Sequence, residues 1–151
     1  MATLKSQAEW LKRISLENIV SEILFYSEHA LIGLNQDQLL EGRNNKGNLI
    51  GRYTEHTQAA SLDPTNLPKQ KKWFGDPYNF EWTGEFFRAF QVKQDGTGVE
   101  ITSQVSYLDS IKRLGSRNRA QDKLFGLTDE HKAKFNKEVL IPGINRRVKQ
   151  V

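Results

Sequence analysis

Apolar residues recur at Leu16, Ile19, Val20, Ile23, Leu24, Ala30, Leu31 and Leu34, the i, i+3, i+4 spacing that lays a single stripe along a helix. Ser15 stands where an N-cap belongs, with Asn18 where a Glu would complete a capping box. The spacing predicts a helix of about five turns with one face on a core. Trp10, Leu11 and Ile14 extend the apolar pattern upstream and predict a helical N-terminal segment. Asn35 is a candidate cap for a short helix through Leu39 and Leu40, which Gly42 would stop.

Residues 42–53 hold the chain's densest Asn and Gly cluster, where positive φ costs little, and read as a turn and a short extended segment. Residues 54–80 show no clean period and hold Pro64, Pro68 and Pro77 beside Lys69, Lys71 and Lys72. That composition predicts a long surface loop. Loops of more than about 15 residues are uncommon in compact domains unless they function, so Lys69, Lys71, Lys72, Trp73 and Phe74 are read as a docking loop, with a plain surface loop as the alternative.

Trp82-Thr83-Gly84 precedes an alternation from Phe86 to Val92, and Asp95-Gly96-Thr97-Gly98 suits a hairpin loop. Val99 and Ile101 continue the apolar face on the returning strand. Two strands alone are marginal, so a third is sought, with Leu49 to Tyr53 as the candidate. Tyr107-Leu108 starts a short helix ending at Leu114-Gly115. Thr128 caps another, with Asp129 and Glu130 in the first turn where the macrodipole favours acids. Phe135, Val139 and Leu140 follow, and Pro142-Gly143 is expected to break or kink the helix ahead of a basic end. The expected fold class is α+β, a single domain over 1–151. A long N-terminal helix packs on a small antiparallel sheet, with C-terminal helices.

Composition narrows the class. Of 151 residues, 37% are apolar and 26% charged, with no cysteine, which describes a lean core and excludes disulfide and thiolate chemistry. No apolar run approaches the ~18 residues of a membrane span. The first dozen residues have no apolar block ahead of a small-residue cleavage site, so no secretory signal is expected. Charge is uneven. Residues 1–111 carry 11 Lys and Arg against 14 Asp and Glu, whereas residues 112–151 carry 11 against 4. An acidic body with a basic end can bind copies of itself head to tail or touch nucleic acid, and it also occurs in ordinary monomers.

The chain offers no reaction. His29, His56 and His131 lie on different elements without partners at ligand spacing, where a metal site needs three or four convergent ligands; each is expected at the surface. There is no Gly-x-Ser-x-Gly elbow, and residues 42–51 lack the Gly-Lys-Ser/Thr ending of a phosphate loop. Asp76, Glu81 and Glu85 near Trp82 could pair for acid–base work, but a solvated edge is the simpler reading. No catalytic residue, metal or cofactor is therefore expected. Lys112, Arg113, Arg117, Arg119 and Lys123, with Arg146, Arg147 and Lys149, form a basic group that could contact phosphates without reading sequence. Cations at a helix C-terminus are also ordinary dipole matching. Only about eight residues follow Pro142-Gly143, short for the recognition helix of a helix-turn-helix.

Four pieces in order carry a family resemblance. They are Gln38-Leu39-Leu40-x-Gly42 with Asn44-Asn45-x-Gly47-x-x-Ile50-x-x-Tyr53, then Trp82-Thr83-Gly84 ahead of an aromatic run, then Tyr107-Leu108 to Leu114-Gly115, then Phe125-Gly126-Leu127-Thr128-Asp129-Glu130. Together the chain resembles the phage virion-morphogenesis proteins, the tail-completion or head–tail joining factors of tailed phages. It departs from them at Asp122-Lys123-Leu124, where the family often has an arginine-proline pair, and in residues 54–80. The resemblance implies a non-enzymatic virion structural protein, a homo-oligomeric ring joining portal or neck to tail, made in the host cytoplasm and resident in the virion. Its partners would be portal, neck or tail proteins, with non-specific contact to packaged DNA and no membrane. The basic residues would then face a neighbouring subunit or DNA. A small basic DNA-binding accessory protein is the alternative.

Overall fold

The computed structural model describes Ser6, Glu9 and residues 15–115 and 124–150. The fold is α+β, as expected. Ser6 and Glu9 are helical, while Trp10, Leu11 and Ile14 lie outside the described residues.

The N-terminal stripe is two helices rather than one long rod, α1 (Leu16–Tyr26) and α2 (Glu28–Leu40). Ser15 caps α1 as expected, its hydroxyl accepting from Asn18 N–H at 3.3 Å. The break falls at Ser27 (φ −107°, ψ 15°), whose N–H turns back to the Leu24 carbonyl. Phe25-Tyr26-Ser27-Glu28-His29 interrupts the buried stripe, so nothing apolar rewards a straight continuation. The bend lets α1 lie on the C-terminal helix while α2 lies on the hairpin.

Asn35 is not a cap. It sits inside α2, fully buried, with Gln38 one turn on. Asn35 Nδ2 donates to the Leu124 and Gly126 carbonyls, and its Oδ1 accepts from Gly126 N–H at 3.4 Å. Gln38 Nε2 donates to the Gly126 carbonyl at 3.1 Å, and its Oε1 accepts from Thr128 N–H at 3.0 Å. These two amides strap residues 124–128 to α2. Gly42 does end the helix. At φ +74° it allows a Schellman closure, with Gly42 N–H on Leu39 O and Arg43 N–H on Gln38 O.

Leu49 to Tyr53 adds no strand to the hairpin. Its backbone pairs with residues 75–78 instead, Tyr53 N–H to Asp76 O at 2.9 Å and Tyr78 N–H to Gly51 O at 3.0 Å. Residues 54–80 are not a loop throughout. Thr54 caps α3 (Glu55–Leu62), accepting from Thr57 N–H. This helix buries Ser61 rather than an apolar face, which is why no period marks it.

Phe86 does not begin a strand. Gly84 (φ +82°) opens one helical turn, α4 (Glu85–Arg88). Phe86 on this turn and Phe90 at the start of the strand are both buried, and residues four apart share a face in helix and strand alike. The hairpin is β1 (Phe90–Asp95) and β2 (Gly98–Ser103), in register from Phe90 opposite Ser103 to Asp95 opposite Gly98. Gly96 at φ +58° opens the two-residue loop. Ile101 is buried as expected, but Val99, beside the turn, is exposed.

The short helix α5 (Leu108–Gly115) stands where the sequence puts it. Thr128 caps α6 (Asp129–Phe135) through His131 N–H at 3.2 Å. Pro142-Gly143 neither breaks nor ends the run. A π turn (Asn136–Leu140) widens the ladder just ahead, closing with Ile141 N–H on Asn136 O, and α7 (Ile141–Val148) continues. Pro142 has no N–H for the preceding turn, and the wider turn relieves its crowding. The core joins Leu24, Leu31, Leu39, Phe86, Phe90, Ile101, Ile111, Leu124 and Phe135.

Gly143 is buried where α7 crosses α1, and a Cβ there would lie 2.9 Å from Ile23 Cδ1 and 3.1 Å from Cγ1. Gly143→Leu should therefore cost about 1–3 kcal/mol by overpacking, read as a lowered denaturation midpoint. Gln38→Leu strands the Thr128 N–H and should cost about 1–3 kcal/mol. A midpoint unchanged in Gln38→Leu would show that the strap holds nothing.

Candidate functional site: an aromatic cleft beside a framed loop

Tyr53, Tyr78, Phe80, Trp82, Phe86 and Tyr107 line an open cleft of about 540 Å³, with Glu85 on its edge. Four of these rings touch in series. Tyr53 meets Tyr78 edge-on at 5.1 Å, Tyr78 meets Phe80, Phe80 meets Phe86, and Phe86 passes on to Phe90 and Phe125 in the core. Burial, then the nearby Glu85 carboxylate, raises the Tyr107 phenol above its ordinary value.

Phe80 is the one described non-glycine residue with positive φ, +54°. For a bulky residue this conformation costs on the order of 1–3 kcal/mol, and it persists only where its surroundings over-determine it. Asn79 supplies that constraint. Its N–H donates to Tyr53 Oη at 3.1 Å. Its Oδ1 accepts from Tyr53 Oη–H at 2.8 Å, from Lys72 Nζ at 2.8 Å and from Glu81 N–H at 3.2 Å. The last bond arches over Phe80 and fixes it in the cleft wall.

Lys72 is 2% exposed, although its charge must leave water to be there. Its backbone is tied both ways to Ser61, N–H to Oγ at 3.0 Å and carbonyl from Oγ–H at 3.2 Å. Its ammonium lies 5.6 Å from the Tyr53 ring centre, a cation–π contact. Burial pulls the Lys72 ammonium below its ordinary 10.5, partly opposed by Glu81. Burial likewise holds the Tyr53 phenol above 10.0.

The expected docking loop is thus sorted into two groups. Its lysines are spent on the chain's own fold: Lys72 on Asn79, Lys71 Nζ on the Ser61 carbonyl at 2.8 Å, and Lys69 on Glu81 at 3.1 Å. Trp73 and Phe74 are 52% and 62% exposed, and Leu62 and Leu67 of the same segment are exposed as well. Phe74 N–H is nonetheless pinned to Gln58 Oε1 at 2.7 Å. The frame is ordered and its apolar side chains are displayed.

Of the basic group, Lys112 leans over the Phe125 ring at 6.0 Å, and the Arg113 side chain turns back to the Asp109 carbonyl. Arg117, Arg119 and Lys123 lie outside the described residues. Arg147 pairs with Glu22 across the α1–α7 crossing. Arg146 and Lys149 are exposed on α7 and its end. The structure does not gather Lys112 with Arg146 and Lys149 into one site. Glu81 pairs with Lys69, so it does not join Glu85 as a dyad. His29 and His56 are exposed as expected, but His131 is half-buried and its Nδ1 has no hydrogen-bond partner among the described residues. Among the described residues no group of three or more His, Asp or Glu could hold a metal.

No family model matches the chain, and no curated protein or solved structure is similar to it beyond chance.

A lysine whose pKa falls on folding binds fewer protons than the unfolded chain between the two values, so stability rises with pH through that window. Tyr53 acts oppositely above 10.0, because the unfolded phenol ionises first. The denaturation midpoint should therefore climb as pH rises from the lowered Lys72 value towards the ordinary 10.5 and be checked by Tyr53 above 10.0. Lys72→Met should stay within about 1 kcal/mol of the native chain at neutral pH, the saved dehydration offsetting the lost hydrogen bond, and its alkaline climb should vanish. An equal climb in the variant would place the titration elsewhere.

Proposed function

We propose that this chain is a non-enzymatic structural subunit of a tailed-phage virion, a ring-forming connector or tail-completion protein between portal or neck and tail. The observation that carries the proposal is the framed display of Trp73 and Phe74. Apolar side chains held out on a hydrogen-bonded frame suit contact with another protein; a mobile loop would have to be ordered first.

The four pieces of the resemblance lend further support by meeting in pairs. Gln38 holds Gly126 and Thr128, and Gly126 lies against Asn45, so the first piece grips the fourth. Trp82, Thr83 and Gly84 share the cleft with Tyr107 and Ile111, so the second faces the third. On this proposal the cleft is a contact surface and transforms no substrate.

A DNA-contact reading draws on Lys134, Lys137, Arg146 and Lys149, exposed cations that make no ion pair among the described residues. Phosphate binding by these cations would fall steeply with salt.

Sedimentation of the purified chain over a concentration series, followed by negative-stain imaging, should show annular particles whose population grows with concentration. A chain that remains monomeric at its solubility limit overturns the assembly proposal. Salt-dependent binding of duplex DNA by that monomer would favour the second reading.

A further inference from the structure

The molecule displays another aromatic pair. Phe25 and Tyr26 end α1 at 67% and 73% exposure, edge-on to each other at 5.3 Å and 83°. They stand at the break before Ser27, where the helix stops and the chain turns away. Tyr26 lines a shallow groove with Gly143, Arg146 and Arg147, so the pair is bordered by the basic end of the chain. Arg147 is taken by Glu22. Arg146 and Lys149 are exposed and make no ion pair among the described residues.

The aromatic cleft is the complement of this ridge. Its walls are mostly aromatic rings around about 540 Å³, and Glu85 among the lining residues is exposed and makes no ion pair among the described residues. Arg88, one turn away, is turned to the Thr83 carbonyl. The cleft belongs to the acidic body of the chain, residues 1–111, and the ridge abuts the basic end. Ridge and cleft share no lining residue.

We propose that the cleft receives the Phe25–Tyr26 ridge of a second copy of this chain, with Arg146 or Lys149 of that copy meeting Glu85, an inference that rests on the self-assembly proposed above. Ridge and cleft are different surfaces, and a contact made once between each pair of subunits, ridge of one into cleft of the next, is heterologous. Each subunit leaves one of each free, and the chain of contacts ends only by closing into a ring. Trp73 and Phe74 do not serve in its place. Phe74 is pinned to α3, whose Thr57 lines the cleft itself, so that patch borders the cleft and remains free for a different protein. Two aromatic side chains bury about 150–250 Å² each, well short of the roughly 800 Å² per partner of a stable pair. A single ridge-in-cleft contact is therefore weak, and closure supplies the rest through effective concentration.

Two variants of the full chain test this, a ridge variant (Phe25→Ser with Tyr26→Ser) and a cleft variant (Glu85→Lys). Both change exposed side chains, and each is first checked for a native melting temperature. In sedimentation, each alone should associate at least tenfold more weakly than the native chain. Mixed at high concentration, they should form a weak complex that stops at two subunits, because one retains only a cleft, the other only a ridge, and no ring can close. Adding Arg146→Glu with Lys149→Glu to the cleft variant should restore self-association. Native-strength assembly by the ridge variant overturns this contact while leaving the ring proposal standing. A native chain that never associates overturns both. Mixed variants that recover full-size assemblies show that some other surface joins the subunits.

Discussion

The fold depends on two buried amides. Asn35 and Gln38 lie one turn apart on α2, fully enclosed, and their five hydrogen bonds all end on residues 124–128. Such groups are tolerated only when their donors and acceptors are used, since each one left unpaired costs about 1–3 kcal/mol. That asymmetry makes the strap specific. Sliding the connector by one residue would misplace both carbonyls and both N–H groups together. The strap sets where α6 begins, and α6 sets where α7 crosses α1. The groove beside Tyr26 is thereby positioned by side chains on the far end of α2.

A second polar hub does similar work at the cleft. Asn79 Oδ1 takes bonds from Tyr53, Lys72 and Glu81, and the enclosed arrangement holds Phe80 in a conformation it would not choose alone. The cost of dehydrating an ammonium is met by a cation–π contact and an amide oxygen. The displayed surfaces beside it are thus backed by rigid polar chemistry, as contact surfaces that bind without reordering require.

Local signals in the sequence were legible where one residue type has one physical use. Ser15 and Thr128 cap, Gly42 closes a helix, and Asp95 to Gly98 turns a hairpin. Tertiary choices were hidden. Asn35 reads as a cap because Asn usually is one, and nothing nearby announces a buried strap to residues ninety positions away. Phe86 to Phe90 fits a strand by alternation and a helix by spacing, and Gly84 decides between them. Lys69, Lys71 and Lys72 look alike in sequence, yet only the last is buried, because Ser61 captures its backbone. The cleft was visible only as Trp82 among carboxylates, since its walls come from Tyr53, Tyr78 and Tyr107, far apart along the chain. Phe25 and Tyr26 carry no sequence signal of their own, because they sit inside an apolar stripe whose spacing continues past them.

The π turn before Pro142 fixes the length of the C-terminal segment as firmly as its composition. Each residue of an α-helix turns the chain by about 100°, so the extra residue housed in Asn136–Leu140 sets the angular phase of everything after it. Winding the same residues as regular α-helix, without the wide turn, would swing Gly143 away from Ile23 and bring a larger side chain into the crossing. The number of residues ahead of Gly143 and the wide turn that houses them are therefore matched to each other.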